Sequence, residues 1–283
     1  DFPSMNEVKA ALSYCGVNGP TTFHLRPGTY QDFDFRTKYE GVSATNTITF
    51  QGDNANTVIV TNNHPDTNNN IYGAVTLIGV DNIYFKNLKI QGATNAVSRA
   101  VVLRGNGSRN IVFDGCNIVA NSTNSTANTS FALGRATAAA ATAGQPAVSD
   151  TVTIRNCRFT GGNYGIYYMG STARRNQLTI QDNDITSCYK GIYTSYCNSL
   201  VKGNHVKQIA ANTHMNFTGI NVEQTTGIDI DGNTIDSTFD VEYGILLKTA
   251  SVNDFYVRNN HVLVGNSNFG IDIESSNSSA TDA

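Results

Sequence analysis

Glu223, Lys248 and Glu274 are spaced by 25 and 26 residues, and Asn221, Leu246 and Asp272 stand two places before each of them. A carboxylate, an ammonium and a second carboxylate that recur at one position of a repeat form a row of alternating charge. Glu223, Glu274 and Asp272 have the chemistry of general acids or bases. Lys248 or Arg104 would neutralise the carboxylate of a uronate. The same two files carry Tyr167 and Tyr193 ahead of Asn221, and Arg104, Met169 and Ser195 ahead of Glu223. Aromatic faces pack on sugar rings while amides and charged groups bond hydroxyls. Tyr167, Tyr193, Arg104 and Asn221 are therefore the expected contacts of a saccharide groove. The files read equally well as a cross-strand aromatic pair beside a favourable charge row with no ligand at all, and the sequence leaves both readings open.

Other chemistry is weakly written. Asp229 and Asp231 point outward together, but two carboxylates fall short of the six to eight oxygens calcium takes. Calcium is thus a minor expectation, and no metal or cofactor site is expected. His205 and His261 share an outward column but are separated by Thr234, so roughly 10 Å divides them at the strand spacing. The five cysteines, Cys15, Cys116, Cys157, Cys188 and Cys197, include no C-x-x-C pair. They are expected as small buried hydrophobes.

The elements that position these residues are coils. Gly-Ile occurs at Gly165-Ile166, Gly191-Ile192, Gly219-Ile220, Gly244-Ile245 and Gly270-Ile271, at intervals of 26, 28, 25 and 26 by subtraction. Between them runs a second register. Ile83, Ile111, Val152, Leu178, Ile228 and Phe255 form one inward column, interrupted by Ser199. Phe85, Phe113, Ile154, Ile180, Val201, Ile230 and Val257 form the next, since alternate strand residues share a face. Asn87, Gly115, Asn156, Asp182, Gly203, Gly232 and Asn259 follow, all residue types that enter the left-handed region at least cost. A bend is expected there in every coil. Asn183, Asn204, Asn233 and Asn260 come next, and stacked in register they predict an asparagine ladder. Each coil supplies about three short strands, which is the pattern of a parallel β-helix.

Around this repeat the chain reads as one domain. Ser4-Met5-Asn6-Glu7 has capping-box spacing, and Val8, Ala11 and Leu12 follow at helical intervals. A helix over Ser4 to Tyr14, ended by Gly16, is expected to plug the open core as an N-terminal cap over residues 1–16. Thr21 to Leu25, a Pro27-Gly28 turn, Ile48 to Phe50 and Val58 to Val60 begin the coils, which extend over residues 21–274 before a tail at 275–283. Phe159 follows Ile118 at an interval of 41 residues. The Ser/Thr/Ala-rich segment 121–150 therefore holds an insertion, with Phe131-Ala132-Leu133 kept as strand, Ala132 outward beside Tyr167, and Arg135 to Ser149 as a protruding loop.

Composition narrows the partners. Forty per cent hydrophobic residues fill a core, only 14% are charged, and a net charge of -3 without a basic cluster gives no footprint for nucleic acid. No apolar run is long enough for a transmembrane segment. Asp1 is not an initiator, so the chain is read as mature or trimmed.

The coil pattern resembles the right-handed parallel β-helices of the pectin lyase-like superfamily over about Thr21 to Glu274. Early coils containing Pro27-Gly28-Thr29-Tyr30, Ile48-Thr49-Phe50-Gln51-Gly52, Thr57-Val58-Ile59-Val60 and Ala100-Val101-Val102-Leu103-Arg104 look like those of pectin methylesterases. Arg99 stands where that esterase has a catalytic Gln, and the segments supplying its acid and nucleophile have no counterpart. The resemblance implies an all-β, single-stranded right-handed parallel β-helix (solenoid) with a short N-terminal capping helix. It also implies a secreted or cell-surface, bacterial protein that binds or processes an acidic or plant-type polysaccharide. A polysaccharide lyase or glycoside hydrolase stands ahead of an esterase. The alternative is a non-enzymatic structural or adhesive surface β-helix.

Overall fold

The computed structural model describes residues 1–31, 33–62, 73–94, 98–104, 107–120, 130–135, 150–170, 176–187, 189–208, 217–225, 227–249 and 254–275. Parallel strands are wound into three sheets of nine. The first sheet runs from Thr21–Leu25 to Asp254–Arg258. The second starts at Gly28–Tyr30 and the third at Phe33–Phe35. In the last two coils, single strands Thr234–Thr249 and His261–Ser275 turn the corner between second and third sheets without a break. Pro27-Gly28 lies at the first corner between first and second sheets, with Gly28 already the first residue of its strand.

The helix spans Met5–Cys15, with Ser4 as N-cap accepting from the Glu7 N–H at 3.4 Å and Gly16 ending it at φ 60°. Met5, Val8 and Leu12 cover the first coil and join the main core. Burying each such side chain is worth about 1.5–3 kcal/mol, so the cap closes the stack by the same force that fills it.

The inward columns are in register, from Ile111 on Val152 and Val152 on Leu178 to Ile228 on Phe255. Phe23, Phe50, Phe85 and Phe113 stack down the interior at centroid separations of 5.3, 5.8 and 5.1 Å. Phe255 keeps its register but is 42% exposed, because no described coil lies beyond it. Cys116, Cys157 and Cys197 are buried thiols, whereas Cys15 is exposed, since it sits on the outer side of the capping helix. Cys188 lies outside the described residues.

All seven residues of the bend column have positive φ, between 53° and 66°. The bend turns the following side chain inward, and there the amides bond from coil to coil. Asn183 Nδ2 donates to Asn204 Oδ1, Asn204 Nδ2 to Asn233 Oδ1 and Asn233 Nδ2 to Asn260 Oδ1, each at 2.9 Å. Each amide also donates to a strand carbonyl, such as Ile180 O for Asn204. The backbone N–H of Cys157 donates to Asn183 Oδ1 and that of Cys116 to Cys157 Sγ, so the thiols continue the same file. Asn110 Nδ2 donates to Asn82 Oδ1 at 2.7 Å in a second left-handed column at the opposite end of the first sheet.

The Gly-Ile repeat has a steric cause. A Cβ on Gly191 would run into Val206 Cγ1 and Gly219 O, and one on Gly219 into Gly244 O and Ile235 Cγ2. Each glycine lies at the corner where the branched residue of the second sheet turns in. Ala100 and Ala132 hold the equivalent place in earlier coils, one residue before Val101 and Leu133.

Two expectations follow. Asn204→Ala removes a buried amide and leaves the Ile180 carbonyl and the Asn183 N–H unpaired, at about 1–3 kcal/mol each. Urea unfolding should show a loss of roughly 3 kcal/mol, and a loss under about 1 kcal/mol would refute the role given to that amide. Gly191→Ala overpacks the corner and should cost about 1–3 kcal/mol; a neutral substitution would show that the corner yields.

Candidate functional site

The third sheet carries the candidate residues on its outer side. Tyr164–Met169 pairs with Lys190–Ser195, which pairs with Phe217–Glu223, so Tyr167, Tyr193 and Asn221 are successive register partners. Leu246 and Asp272 continue that file, and Met169, Ser195, Glu223, Lys248 and Glu274 form the adjacent one. The strand spacing holds the Tyr167 and Tyr193 rings 5.0 Å apart and 10° from parallel.

The first coil of this face corrects the sequence reading. Gly134, not Ala132, is the partner of Tyr167, and Ala132 faces the core. Lacking a side chain there, Gly134 leaves room for the Phe131 ring, which stacks on Tyr167 at 6.3 Å. The expected loop from Arg135 to Ser149 lies, beyond Arg135, outside the described residues.

An aromatic cluster therefore sits outside the solenoid core, made of Phe131, Tyr164, Tyr167, Tyr189 and Tyr193 with Val102 and Met169. Tyr164 packs edge-on to Tyr189 at 5.6 Å and to Tyr193 at 6.1 Å. Lys190 Nζ lies 4.8 Å from the Tyr193 ring centroid and 5.2 Å from that of Tyr189. Covered in this way, Tyr193 is only 8% exposed although it points outward. Asn221 is 1% exposed, and its Oδ1 has no hydrogen-bond partner. These two were expected to touch a ligand directly; the structure places them beneath the surface. Tyr167 and Tyr189 are half-buried and present the accessible rings.

Electrostatics tie the cluster to the charged file. Tyr193 donates its hydroxyl to Glu223 Oε2 at 2.9 Å. Burial, reinforced by the Glu223 charge and this bond, pushes the Tyr193 phenol well above its ordinary range, so it stays a neutral donor. Burial pushes the Lys190 ammonium down, only partly opposed by Glu223. Lys248 is bonded to Glu274 at 3.2 Å, which raises its affinity for the proton. Glu223 and Glu274 are two strands apart with Lys248 between them, roughly 10 Å at the strand spacing. Each carboxylate already holds a partner. The arrangement sets fixed hydrogen-bonding groups beside aromatic ring faces. Arg104 stands four strands from Glu223, roughly 19 Å away, so the structure does not bring it to the carboxylates.

Tyr164, Tyr189 and Lys190 are the residues sequence reasoning missed. The signal for Tyr164 and Lys190 was the position directly before the glycine, where Tyr164, Lys190, Tyr243 and Phe269 stand, with Tyr189 one place earlier. Tyr243 and Phe269 stack there too, at 5.4 Å.

Arg258 binds Asp229 at 2.9 Å and Asp231 at 3.6 Å, and Asn259 donates to Asp231. The Asn259 bond and the Arg258 and Lys202 charges hold the Asp231 carboxyl low. Among the described residues, no three His, Cys, Asp or Glu side chains gather as a metal set.

A family model described as the right handed beta helix region matches residues 145–282. Comparison of the sequence with curated proteins finds no match. Among solved structures the chain is similar to a GH136 lacto-N-biosidase from Eubacterium ramulus, at 12% identity and TM-score 0.49, covering 91% of this chain and 62% of that one. It is similar to a pectin methylesterase from Yersinia enterocolitica at 10% identity and TM-score 0.43, covering 98% and 95% of the two chains. It is also similar to the Streptococcus pneumoniae surface protein and adhesin PfbA at 12% identity and TM-score 0.44, covering 95% and 93%. Likenesses this distant are likenesses of fold and assign no reaction. The parallel winding of three sheets makes the chain a parallel β-helix, and the family-model match over residues 145–282 gives the right-handed class.

Proposed function

We propose that the chain is a carbohydrate-binding β-helix of the cell exterior that holds an acidic or plant-type polysaccharide across the third sheet. The observation that carries this reading is the aromatic cluster outside the core. Outward positions of a solvent-facing sheet are ordinarily polar, yet Phe131, Tyr164, Tyr167, Tyr189 and Tyr193 gather on one such surface beside Glu223, Lys248 and Glu274. Tyr167 and Tyr189 supply the stacking faces. Tyr193, bonded to Glu223, fixes that carboxylate as an acceptor for sugar hydroxyls, and Lys190 and Lys248 supply the charge a uronate requires. Glu223, Glu274 and Asp272 are the groups available if the bound chain is also cleaved.

A second reading is a non-enzymatic structural or adhesive β-helix, and the pairing of Glu223 with Tyr193 and of Glu274 with Lys248 favours it over catalysis. One experiment separates the readings. The full chain is applied to immobilised polygalacturonate, alginate and arabinoxylan, while unsaturated and reducing ends are followed in solution. Retention on at least one polymer is expected, falling at least tenfold, about 1.4 kcal/mol, in Tyr167→Ala/Tyr189→Ala with thermal unfolding preserved. No retention, or retention indifferent to both tyrosines, refutes the groove. Release of ends that Glu223→Gln abolishes would favour processing over adhesion.

A further inference from the structure

The first sheet carries a depression of about 430 Å³ on its outer face, away from the aromatic cluster. Thr179, Leu200, Asp229 and Tyr256 are successive register partners across four coils, and Gln177 and Asn198 stand beside them. All six line the depression. Gly227 continues the Gln177 and Asn198 file and contributes no side chain, which opens that end of the depression.

Tyr256 is 55% exposed. Its ring carries the Arg258 guanidinium 5.4 Å from the centroid, and Arg258 is itself held by Asp229 and Asp231. The ring is thereby fixed at the edge of the depression rather than left free. Asp229 bonds Arg258 through Oδ2, while its Oδ1 has no donor. The volume falls within the range of small-ligand sites, about 300–1,000 Å³.

We infer that this depression is a binding site for one ring of an uncharged glycan. The lining combines an aromatic face and Leu200 with an amide pair, a hydroxyl and a carboxylate, which matches a pyranose: one apolar face and a rim of hydroxyls. It does not match an anion. The one charged lining residue is the carboxylate of Asp229, and the neighbouring guanidinium of Arg258 is already committed to two aspartates. It does not match a purely apolar ligand either, because Gln177 and Thr179 would lose water without replacement. The site is separate from the third-sheet groove and does not rest on it.

The test uses the full chain in the Tyr167→Ala/Tyr189→Ala background, which removes the third-sheet platform. Cellotriose, mannotriose and xylotriose are titrated by ligand-observed NMR, with trigalacturonate as the acidic counterpart. At least one neutral trisaccharide is expected to bind, more tightly than trigalacturonate. Adding Tyr256→Ala should weaken it at least tenfold with an unchanged thermal transition, and Leu200→Arg, which fills the depression, should do the same. Tyr256 is exposed at the rim, so its variant keeps the test valid if Leu200→Arg fails to fold. The inference is overturned if no neutral trisaccharide binds, if Tyr256→Ala binds as well as its parent, or if trigalacturonate binds as tightly through Tyr256.

Discussion

The stack depends on one corner where nothing larger than a hydrogen, or in the earlier coils a methyl, fits. At Gly165, Gly191, Gly219 and Gly244 the space a side chain would take is filled by the next coil's backbone carbonyl and by Ile185, Val206, Ile235 and Val262 of the second sheet. Those branched residues can turn inward only because the glycine yields. The glycine corner thus lets the second and third sheets close on each other and keeps the third-sheet strands in register. Tyr167 over Tyr193 and Lys248 beside Glu274 follow from that register.

The opposite corner, between first and second sheets, solves a different problem. A left-handed residue turns the chain sharply and points the next side chain into the interior, where an apolar group alone would leave bent backbone groups unpaired. In the later coils Asn183, Asn204, Asn233 and Asn260 meet that demand with an amide that both donates and accepts. In the middle coils Cys116 and Cys157 occupy the same place, and burial together with the neighbouring Cys116 pushes the Cys157 thiol well up. A neutral thiol is a weak partner, and the phenylalanine stack of Phe23, Phe50, Phe85 and Phe113 lies in the coils ahead of the amide file. Polar satisfaction thus dominates at one end of the solenoid and aromatic packing at the other.

How much of this was legible follows from period. The inward columns and the bend could be read because both repeat with the coil and each admits few residue types. Ala132 was misplaced because its coil lacks Gly-Ile: Ala132-Leu133 takes that role, and only the register with Val101 and Ile166 reveals it. At the site, the files of Glu223, Lys248 and Glu274 and of Tyr167 and Tyr193 were legible for the same reason as the core. The burial of Tyr193 and Asn221 was not. Alternation assigns a direction to a side chain, but it says nothing of what leans over it from the next file, and here Lys190 and Tyr164 cover Tyr193 from the corner, with Tyr189 packed on Tyr164.

That covering also decides how the surface can work. A tyrosine fully open to water is a free platform but a loosely held one, and its ordering entropy is lost on binding. Tyr193 has already lost that freedom, clamped between Tyr167, Tyr164 and Lys190 with its hydroxyl on Glu223. The rings that remain accessible, Tyr167 and Tyr189, lean on a substructure that does not rearrange. The same logic applies on the first sheet, where Arg258 braces Tyr256 while satisfying Asp229 and Asp231. In both places the rings are braced on strands of a sheet, so under the proposed reading binding would rest on rigidity of the platform.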